Sequence, residues 1–554
     1  MRSHCASFEY QPLLSIVLPV YNTTPDFLRA CLDSVLAQTY NNWELCIADD
    51  LSPESAPRHI IEEYARKDAR VRFTFRTEQG GIANCTNSAL TLAEGDFIVL
   101  LDHDDLLAPH ALYMVAYELN QNAQLDLIFS DEDKIDDQGA RFDPHFKSDF
   151  NYELLLGQNC ISHLGVYRRS LVVELGGLRE GFDGSQDHDL ALRVVERSSP
   201  KRIAHIPHVL YHWRVFGESG SFSTDNLDQA VAAGVNAVQD HLGEASGASV
   251  EPAGVGGYLR VRWPLPEVVP EVTVIVPTRD NAELLGKCID GLMNNTGYSN
   301  MKVLVVDNGS RDEATLKLLE EIDSEADIRV LEYDEPFNYS AINNYAEEHV
   351  GSDYLCLLND DIQMIEPDWL DEMMSLAVRQ DIGAVGARLL YADSTVQHGG
   401  VVLGVMGVAN HLHKHLDVTN PGNFGRLQLC QELSASTAAC LVVKRSRYRQ
   451  VGGLDEENLT VAFNDIDFCL RLREAGYRNL WTPHATLFHM ESASRGSDMD
   501  ADKFKRFEKE VNYMQQRWGA LLQSDPFYNP NLSLSDEQMS LAEPPRSTRP
   551  WLSA

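Results

Sequence analysis

Apolar and polar residues follow one another in blocks along this chain. Leu14-Ser-Ile-Val-Leu-Pro-Val20 is a short, nearly unbroken apolar run that ends at Tyr21-Asn22. From Phe27 to Gln38, Leu28, Cys31, Leu32, Val35 and Leu36 then recur at helical spacing. Such spacing predicts an amphipathic helix, and a brief run apolar on both faces predicts a strand buried on both. Leu45-Cys-Ile-Ala48 and Phe97-Ile-Val-Leu-Leu101 repeat the strand pattern. Strands of this kind alternating with helices predict an α/β fold with a mostly parallel sheet, helices covering both faces.

The same blocks return later in the chain. Leu14–Asn22 reappears as Val272-Thr-Val-Ile-Val-Pro-Thr-Arg-Asp280, Leu45–Asp50 as Val303-Leu-Val-Val-Asp-Asn308, and Phe97–Asp104 as Tyr354-Leu-Cys-Leu-Leu-Asn-Asp-Asp361. Pro19 and Pro277, Asp49 and Asp307, and Asp104 and Asp361 lie 258, 258 and 257 positions apart. An offset that steady indicates a duplicated domain, because solenoid repeats have periods of about 20–50 residues. A length of 554 residues also exceeds what one hydrophobic core organises. The expected division is a tail at 1–12, a first domain at 13–224, a linker at 225–270, a second domain at 271–522 and a tail at 523–554. Gly243-Glu-Ala-Ser-Gly-Ala-Ser249, Gly254-Val-Gly-Gly257 and Pro264-Leu-Pro266 give the linker its composition. Val511, Met514 and Trp518 predict a packed terminal helix, and the Pro- and Ser-rich stretch past Asp525 is expected to be poorly ordered or laid on the surface.

Charge narrows the function. There are 83 acidic and 46 basic side chains, a formal net charge of −37. Such a surface repels nucleic acid and gains nothing from anionic lipid, so no nucleic-acid partner is expected. The ten cysteines are scattered without a CxxC pair, several inside apolar runs, as buried free thiols are. With no signal-peptide pattern at the N-terminus, the expectation is a reducing cytoplasm. No apolar run approaches the ~18–20 residues of a membrane span. Any membrane contact is then expected to be peripheral, at the inner face of the cytoplasmic membrane.

The informative acids stand at strand ends, where open α/β sheets bind ligands. Asp49 and Asp50 follow Leu45–Ala48, and Asp307 and Asn308 follow Val303–Val306. Alone, each acid fits a helix N-cap as well as a contact to a base or ribose. Recurrence in both copies, about fifty residues before a second acidic motif, favours the ligand reading. That second motif is Asp102-His-Asp-Asp105 in one copy and Asn359-Asp-Asp361 in the other. Oxygen ligands one residue apart after a buried strand suit a hard cation such as Mg²⁺ or Mn²⁺, which would in turn hold a diphosphate.

With these motifs, both halves resemble the family 2 glycosyltransferases, inverting enzymes of the Rossmann-like GT-A fold. The resemblance covers about residues 13–224 and 271–497. It includes Ser130-Asp-Glu-Asp-Lys134, Gly181-Phe-Asp-Gly-Ser-Gln-Asp-His-Asp-Leu190, Phe337-Asn-Tyr-Ser-Ala-Ile-Asn-Asn344, Gln397-His-Gly-Gly-Val-Val-Leu403 and Phe463-Asn-Asp-Ile-Asp-Phe468. The second half most resembles bacterial rhamnosyltransferases and related O-antigen enzymes. The resemblance implies two tandem GT-A domains that use nucleoside-diphosphate sugars. It puts the donor near Pro19, Tyr21, Asp49, Asp50 and Asp102 in the first copy, and near Pro277, Arg279, Asp307, Asn308 and Asn359 in the second. It implies metal on Asp104 and Asp361, with His212 and His489 as further ligands, and Asp187 and Asp465 as general bases. The family commonly has Glu before that base, whereas Gln186 and Asn464 stand here.

The expectation is thus a metal-dependent inverting glycosyltransferase with two active sites. Its donor would be UDP- or dTDP-linked, and its acceptor an oligosaccharide or lipid-linked glycan of a bacterial surface polysaccharide of O-antigen type. An alternative is one catalytic domain beside a glycan-binding or scaffolding module, Asn359 making the second domain the idle one. A remoter alternative is a sugar-nucleotidyltransferase, disfavoured because Pro19-Val-Tyr-Asn22 and Pro277-Thr-Arg-Asp280 stand where a Gly-rich triphosphate loop belongs. His411-x-His413-x-His415 alternates like metal ligands, but no Cys or acid nearby completes a tetrahedral set, so a polar loop facing the acceptor is expected there. Asp131, Glu132 and Asp133 fit capping acids and pocket-lining acids equally.

Overall fold

The computed structural model describes residues 1–215, 224–254, 256–490 and 501–552. The chain divides into two compact units. One comprises Met1–Val261, Asn529–Asn531 and Pro544–Ala554, and the other Arg262–Tyr528 and Leu532–Glu543.

In the first unit, strand Leu14–Val20 pairs in parallel with Trp43–Asp49 on one side and Phe97–Leu100 on the other. Val71–Phe75 continues the parallel set beyond Trp43–Asp49. Leu14, Ile16, Val17 and Leu18 are all fully buried, as a strand covered on both faces requires. Each such side chain contributes roughly 1.5–3 kcal/mol on burial. The other half of the sheet is mixed. Gly165–Arg168 runs antiparallel to Phe97–Leu100, and Leu127–Ile135 and Ile203–Arg214 run parallel to each other. The parallel arrangement expected from the apolar strands therefore holds for the half that ends at the acidic motifs.

The second unit repeats this strand order. Ile328–Glu332, Met301–Asp307, Val272–Thr278 and Tyr354–Leu358 are parallel, followed by Cys440–Lys444, Ile382–Leu390 and Arg478–His489. Val20 pairs with Asp49 in one sheet as Thr278 pairs with Asp307 in the other. Two sheets with one order and one register are what the constant offset in sequence predicted.

The first predicted helix forms as Pro25–Leu36, burying Leu28, Cys31, Leu32 and Val35. It stops short of Gln38, whose buried amide instead donates to Ala108 O at 2.8 Å and accepts from Leu112 N at 3.0 Å. Residues read as linker are largely ordered: Thr224–Leu242 is a helix, and Ser249–Ala253 pairs with Tyr258–Arg262. The helix is fastened to the first unit, where Ser185 Oγ donates to Ala230 O at 2.9 Å and Tyr152 Oη bonds His241 Nε2 at 2.8 Å. The terminal helix Ala501–Leu522 packs through Met514, Trp518 and Leu522. Beyond it the chain is partly built in, with Phe527, Tyr528, Asn529 and Leu532 buried. All ten cysteines are free thiols, eight of them buried. No helix among the described residues is long and apolar enough to cross a membrane.

Candidate active site

At the end of each first strand the chain makes one turn twice over. Asn22 and Asp280 both have φ of 48°, and their N–H groups donate to Ser52 Oγ at 2.9 Å and Ser310 Oγ at 3.0 Å. Pro19 lies inside the strand and is buried, Tyr21 is 43% exposed, and Pro277 and Arg279 hold the matching places. Asp49 is fully buried. Its Oδ2 accepts from Ser52 N and Arg58 Nε, while Oδ1 has no partner. Asp307 accepts from Ser310 N and Oγ.

The next position does different work. Asp50 accepts from Gly80 N and Gly81 N and pairs with Arg76 at 2.8 Å, so its carboxylate holds the start of helix Gly81–Leu90. Asn308 Nδ2 donates to Tyr333 O and Glu335 O, again fixing the following loop. Asn308 Oδ1 is left buried without a partner. The atoms that the described residues leave unoccupied are thus Asp49 Oδ1 in the first pair and Asn308 Oδ1 in the second.

The second motif closes the same turn in both units. Asp105 N donates to Asp102 O, and Ile362 N to Asn359 O, each at 3.3 Å. Asp104 thus corresponds to Asp361, and the first unit carries one further acid, Asp105. Tyr211 Oη donates to Asp105 Oδ2 at 2.6 Å and Arg214 N to Oδ1 at 2.7 Å. Among the described residues, Asp102, Asp105 and His163 form a group whose ligand atoms lie within 4.8 Å of one another. His163 stacks on Tyr211 with ring centroids 4.3 Å apart. Burial, with the charges of Asp102 and Asp104, pushes Asp105 well above the usual carboxylate range. Burial likewise raises Asp102, with Asp104 and Asp187 adding to the rise and His163 opposing it. Two carboxylates raised first by burial and then by neighbouring acids, with an imidazole beside them, suit Mg²⁺ or Mn²⁺.

Asp104 and His212 stand outside that group. Asp104 lies 3.7 Å from His103 Nδ1, and its carbonyl accepts from Arg214 Nε at 2.8 Å. His212 Nδ1 bonds Asp133 Oδ1 at 2.5 Å. In the second unit the corresponding residues do meet. His489 Nε2 lies 3.2 Å from Asp361 Oδ1 and 3.3 Å from Asn359 Nδ2, and Gln397 Oε1 holds His489 Nδ1 at 2.6 Å. Asp361 Oδ1 is buried and, among the described residues, has no hydrogen-bond partner, so the atom facing the histidine is unsatisfied there. A cation between them would satisfy both, and the residues fit one.

Asp187 and Asp465 occupy the first turns of helices Gln186–Arg197 and Asn464–Glu474. Among the described residues, Asp187 accepts from neutral donors, Asn159 Nδ2 at 2.7 Å and His188 N at 2.9 Å. Asp465 does the same with Ala438 N at 3.0 Å and Ile466 N at 2.9 Å. Two residues on, Asp189 pairs with Arg179 and Arg193, and Asp467 with Arg471 and the Trp518 indole. Each helix thus carries, two residues apart, one acid held by neutral donors and one locked by arginine. Gln186 and Asn464 face local backbone: Gln186 Oε1 accepts from Gly184 N, and Asn464 Nδ2 donates to Val461 O.

A cavity of about 350 Å³ opens beside Asp465, lined also by Gln397, His411 and Lys414. The other histidines of that run turn elsewhere: His413 Nε2 accepts from Asn423 N, and His415 stacks on Tyr391. Asp131, Glu132 and Asp133 cap no helix. They lie on strand Leu127–Ile135 and bond His205, Lys147 and His212 respectively.

The model of the glycosyl transferase family 2 matches residues 15–176 and 273–415, one stretch in each unit and together more than half of the chain. The chain belongs to this family. Its two units are tandem GT-A glycosyltransferase domains. Over 96% of its length it is 46% identical to the uncharacterized protein y4gI of Sinorhizobium fredii, covering 59% of that protein. Over 98% it is 37% identical to the O-antigen biosynthesis protein RfbC of Myxococcus xanthus, covering 42% of it. A stretch amounting to 39% of the chain is 30% identical to chondroitin synthase of Escherichia coli, covering 31% of that protein. This glycosyltransferase chain therefore spans little more than half of the first relative and less than half of the other two.

Sequence reasoning missed His163, Tyr211 and Asn159. His163 precedes strand Gly165–Arg168, which the fold pairs beside Phe97–Leu100; no sequence signal marks that adjacency. Gln397 stands in a motif recognised in the sequence, but its role as the partner of His489 emerges only from the fold.

Proposed function

We propose that each unit transfers a sugar with inversion from a UDP- or dTDP-linked donor to a growing oligosaccharide or lipid-linked glycan. The product would be a bacterial surface polysaccharide of O-antigen type, made in the cytoplasm at the inner face of the membrane. One observation carries this reading. In both units a carboxylate held by neutral donors shares the strand-end region with an acid-and-imidazole cluster suited to a divalent cation.

In this reading Asp187 and Asp465 take the proton of the acceptor hydroxyl as it attacks the anomeric carbon, contributing roughly 10²–10⁴-fold. Asp49 and Asp307 receive the base end of the donor, and the free Oδ1 of Asp49 supports that role. Asp102, Asp105 and His163 in one unit, with Asp104 close by, and Asn359, Asp361 and His489 in the other, would hold Mg²⁺ or Mn²⁺. When bound, that ion neutralises the charge gathered on the departing nucleoside diphosphate. The 37% identity to an O-antigen biosynthesis protein supports the class of product. Tethering two transfer sites raises the effective concentration of the first product at the second.

A second reading leaves the second unit as a glycan-binding module, favoured by Asn359 where the first unit has Asp102. The test is product analysis with purified protein, a panel of nucleotide sugars and Mn²⁺, comparing Asp187→Asn with Asp465→Asn. Loss of a different transfer step in each variant supports two active sites. A variant that leaves every step intact assigns its unit to binding.

A further inference from the structure

The cavity beside Asp465 is walled by Tyr391, Asn410, His411 and Lys414. Asn410 and His411 lie on Ala409–His411, a short strand paired antiparallel with Val401–Leu403. An isolated two-stranded hairpin is marginally stable in water, so its position depends on what holds it. The C-terminal part of the same unit holds it at four places. Asp525 Oδ2 accepts from Leu403 N at 2.8 Å. The Leu522 backbone passes Gly404 so closely that a Cβ there would meet its carbonyl oxygen at 1.9 Å. Met406 N donates to Leu534 O at 2.9 Å. Glu537 Oε1 accepts from Asn410 Nδ2 at 2.6 Å and from Lys414 Nζ at 3.3 Å.

The last of these contacts reaches the cavity wall itself. Asn410 Nδ2 is committed to Glu537 while its Oδ1 accepts from His411 N at 2.8 Å, so both ends of the amide are fixed. Glu537 also neutralises Lys414, a cation in the cavity lining. Opposite polarity at that wall would otherwise draw a carboxylate or phosphate. Tyr391, stacked on His415 at 4.9 Å and 6°, is held as a further part of the cavity lining.

We propose that Glu537 is a positioning residue that sets acceptor specificity in the second unit, making the cavity select a neutral terminal sugar over an anionic one. This rests on the reading of Asp465 as the base at that cavity. Glu537 does so by holding Asn410 in one orientation and by cancelling the charge of Lys414.

The experiment uses the full chain, its Glu537→Gln and Glu537→Ala variants, and two probes, p-nitrophenyl β-N-acetylglucosaminide and p-nitrophenyl β-glucuronide. Ligand-observed NMR titration reads their affinities, with UDP and Mn²⁺ binding and Tm measured alongside. The wild type is expected to bind the neutral probe more tightly. Glu537→Gln is expected to strengthen glucuronide binding about 3–10-fold, and Glu537→Ala also to weaken the neutral probe by a similar factor. UDP binding and Tm should not move. Unchanged probe affinities in both variants overturn the proposal, as does a wild type that binds neither probe. So does a change that merely follows a fall in Tm. If Asp465→Asn leaves transfer intact while the Glu537 variants shift as stated, it is the reading of Asp465 that fails.

Discussion

His489 Nε2 stands 3.2 Å from Asp361 Oδ1 while Gln397 Oε1 accepts a hydrogen bond from His489 Nδ1 at 2.6 Å. With the proton on Nδ1, Nε2 and the carboxylate present lone pairs to one another. A cation placed beside both would be held by the two lone pairs, and the outer amide fixes the ring for it.

Removing that outer support should weaken cation binding without removing a ligand. Gln397→Ala is expected to raise the Mn²⁺ concentration for half-saturation of the second unit about 10–100-fold. Paramagnetic resonance of free Mn²⁺, titrated with protein in the presence of UDP, measures it. His489→Ala should weaken binding at least as much.

Paired acids two residues apart should separate chemistry from stability. Asp465→Asn is expected to slow its transfer step about 10²–10⁴-fold with little change in Tm. Asp467→Ala strands the Arg471 guanidinium and the Trp518 indole N–H beside a fully buried position, and should cost about 3–5 kcal/mol. Product assay and denaturant unfolding of both variants distinguish the two roles.

Much of this was legible because the signals are local. An apolar run ending at Asp49 or Asp307 is contiguous in sequence, and the fixed offset exposes the duplication before any fold is known. Asp187 and Asp465 came from the family resemblance alone, and the fold adds that each stands in the first turn of a helix. His163, Gln397 and Glu537 act across long separations, and no period or spacing encodes such contacts. Asn529 donates to Asp131 from 398 positions away, although its Pro- and Ser-rich neighbourhood reads as a loose tail. The Ala- and Gln-rich stretch ahead of Gly243 reads as helical, but its fastening to Ser185, Tyr152 and Arg179 is long-range and does not show in the sequence.

A buried histidine gives the first unit a pH dependence. His205 bonds Asp131 at 2.9 Å and Asp149 at 3.2 Å. Burial disfavours its charged form, yet the two carboxylates outweigh burial and raise its pKa to about 9. A histidine raised in the folded state stabilises fully below its ordinary value near 6.5. That stabilisation is lost as pH climbs toward 9. Wild type should therefore lose roughly 2–3 kcal/mol between pH 6.5 and 9.5. His205→Gln should show a flatter profile, read by thermal unfolding across that range.

The central claim is that the strand-end cluster of each unit grips a divalent cation that grips the donor's diphosphate. Anomalous diffraction from crystals soaked with UDP and Mn²⁺ tests it most directly. The account predicts one manganese peak per unit, in contact with the diphosphate, with Asp361 and His489 coordinating in the second unit and strand-end acids from Asp102 to Asp105 in the first. Nucleotide bound with no ion at either cluster, all of these acids turned away, would contradict it.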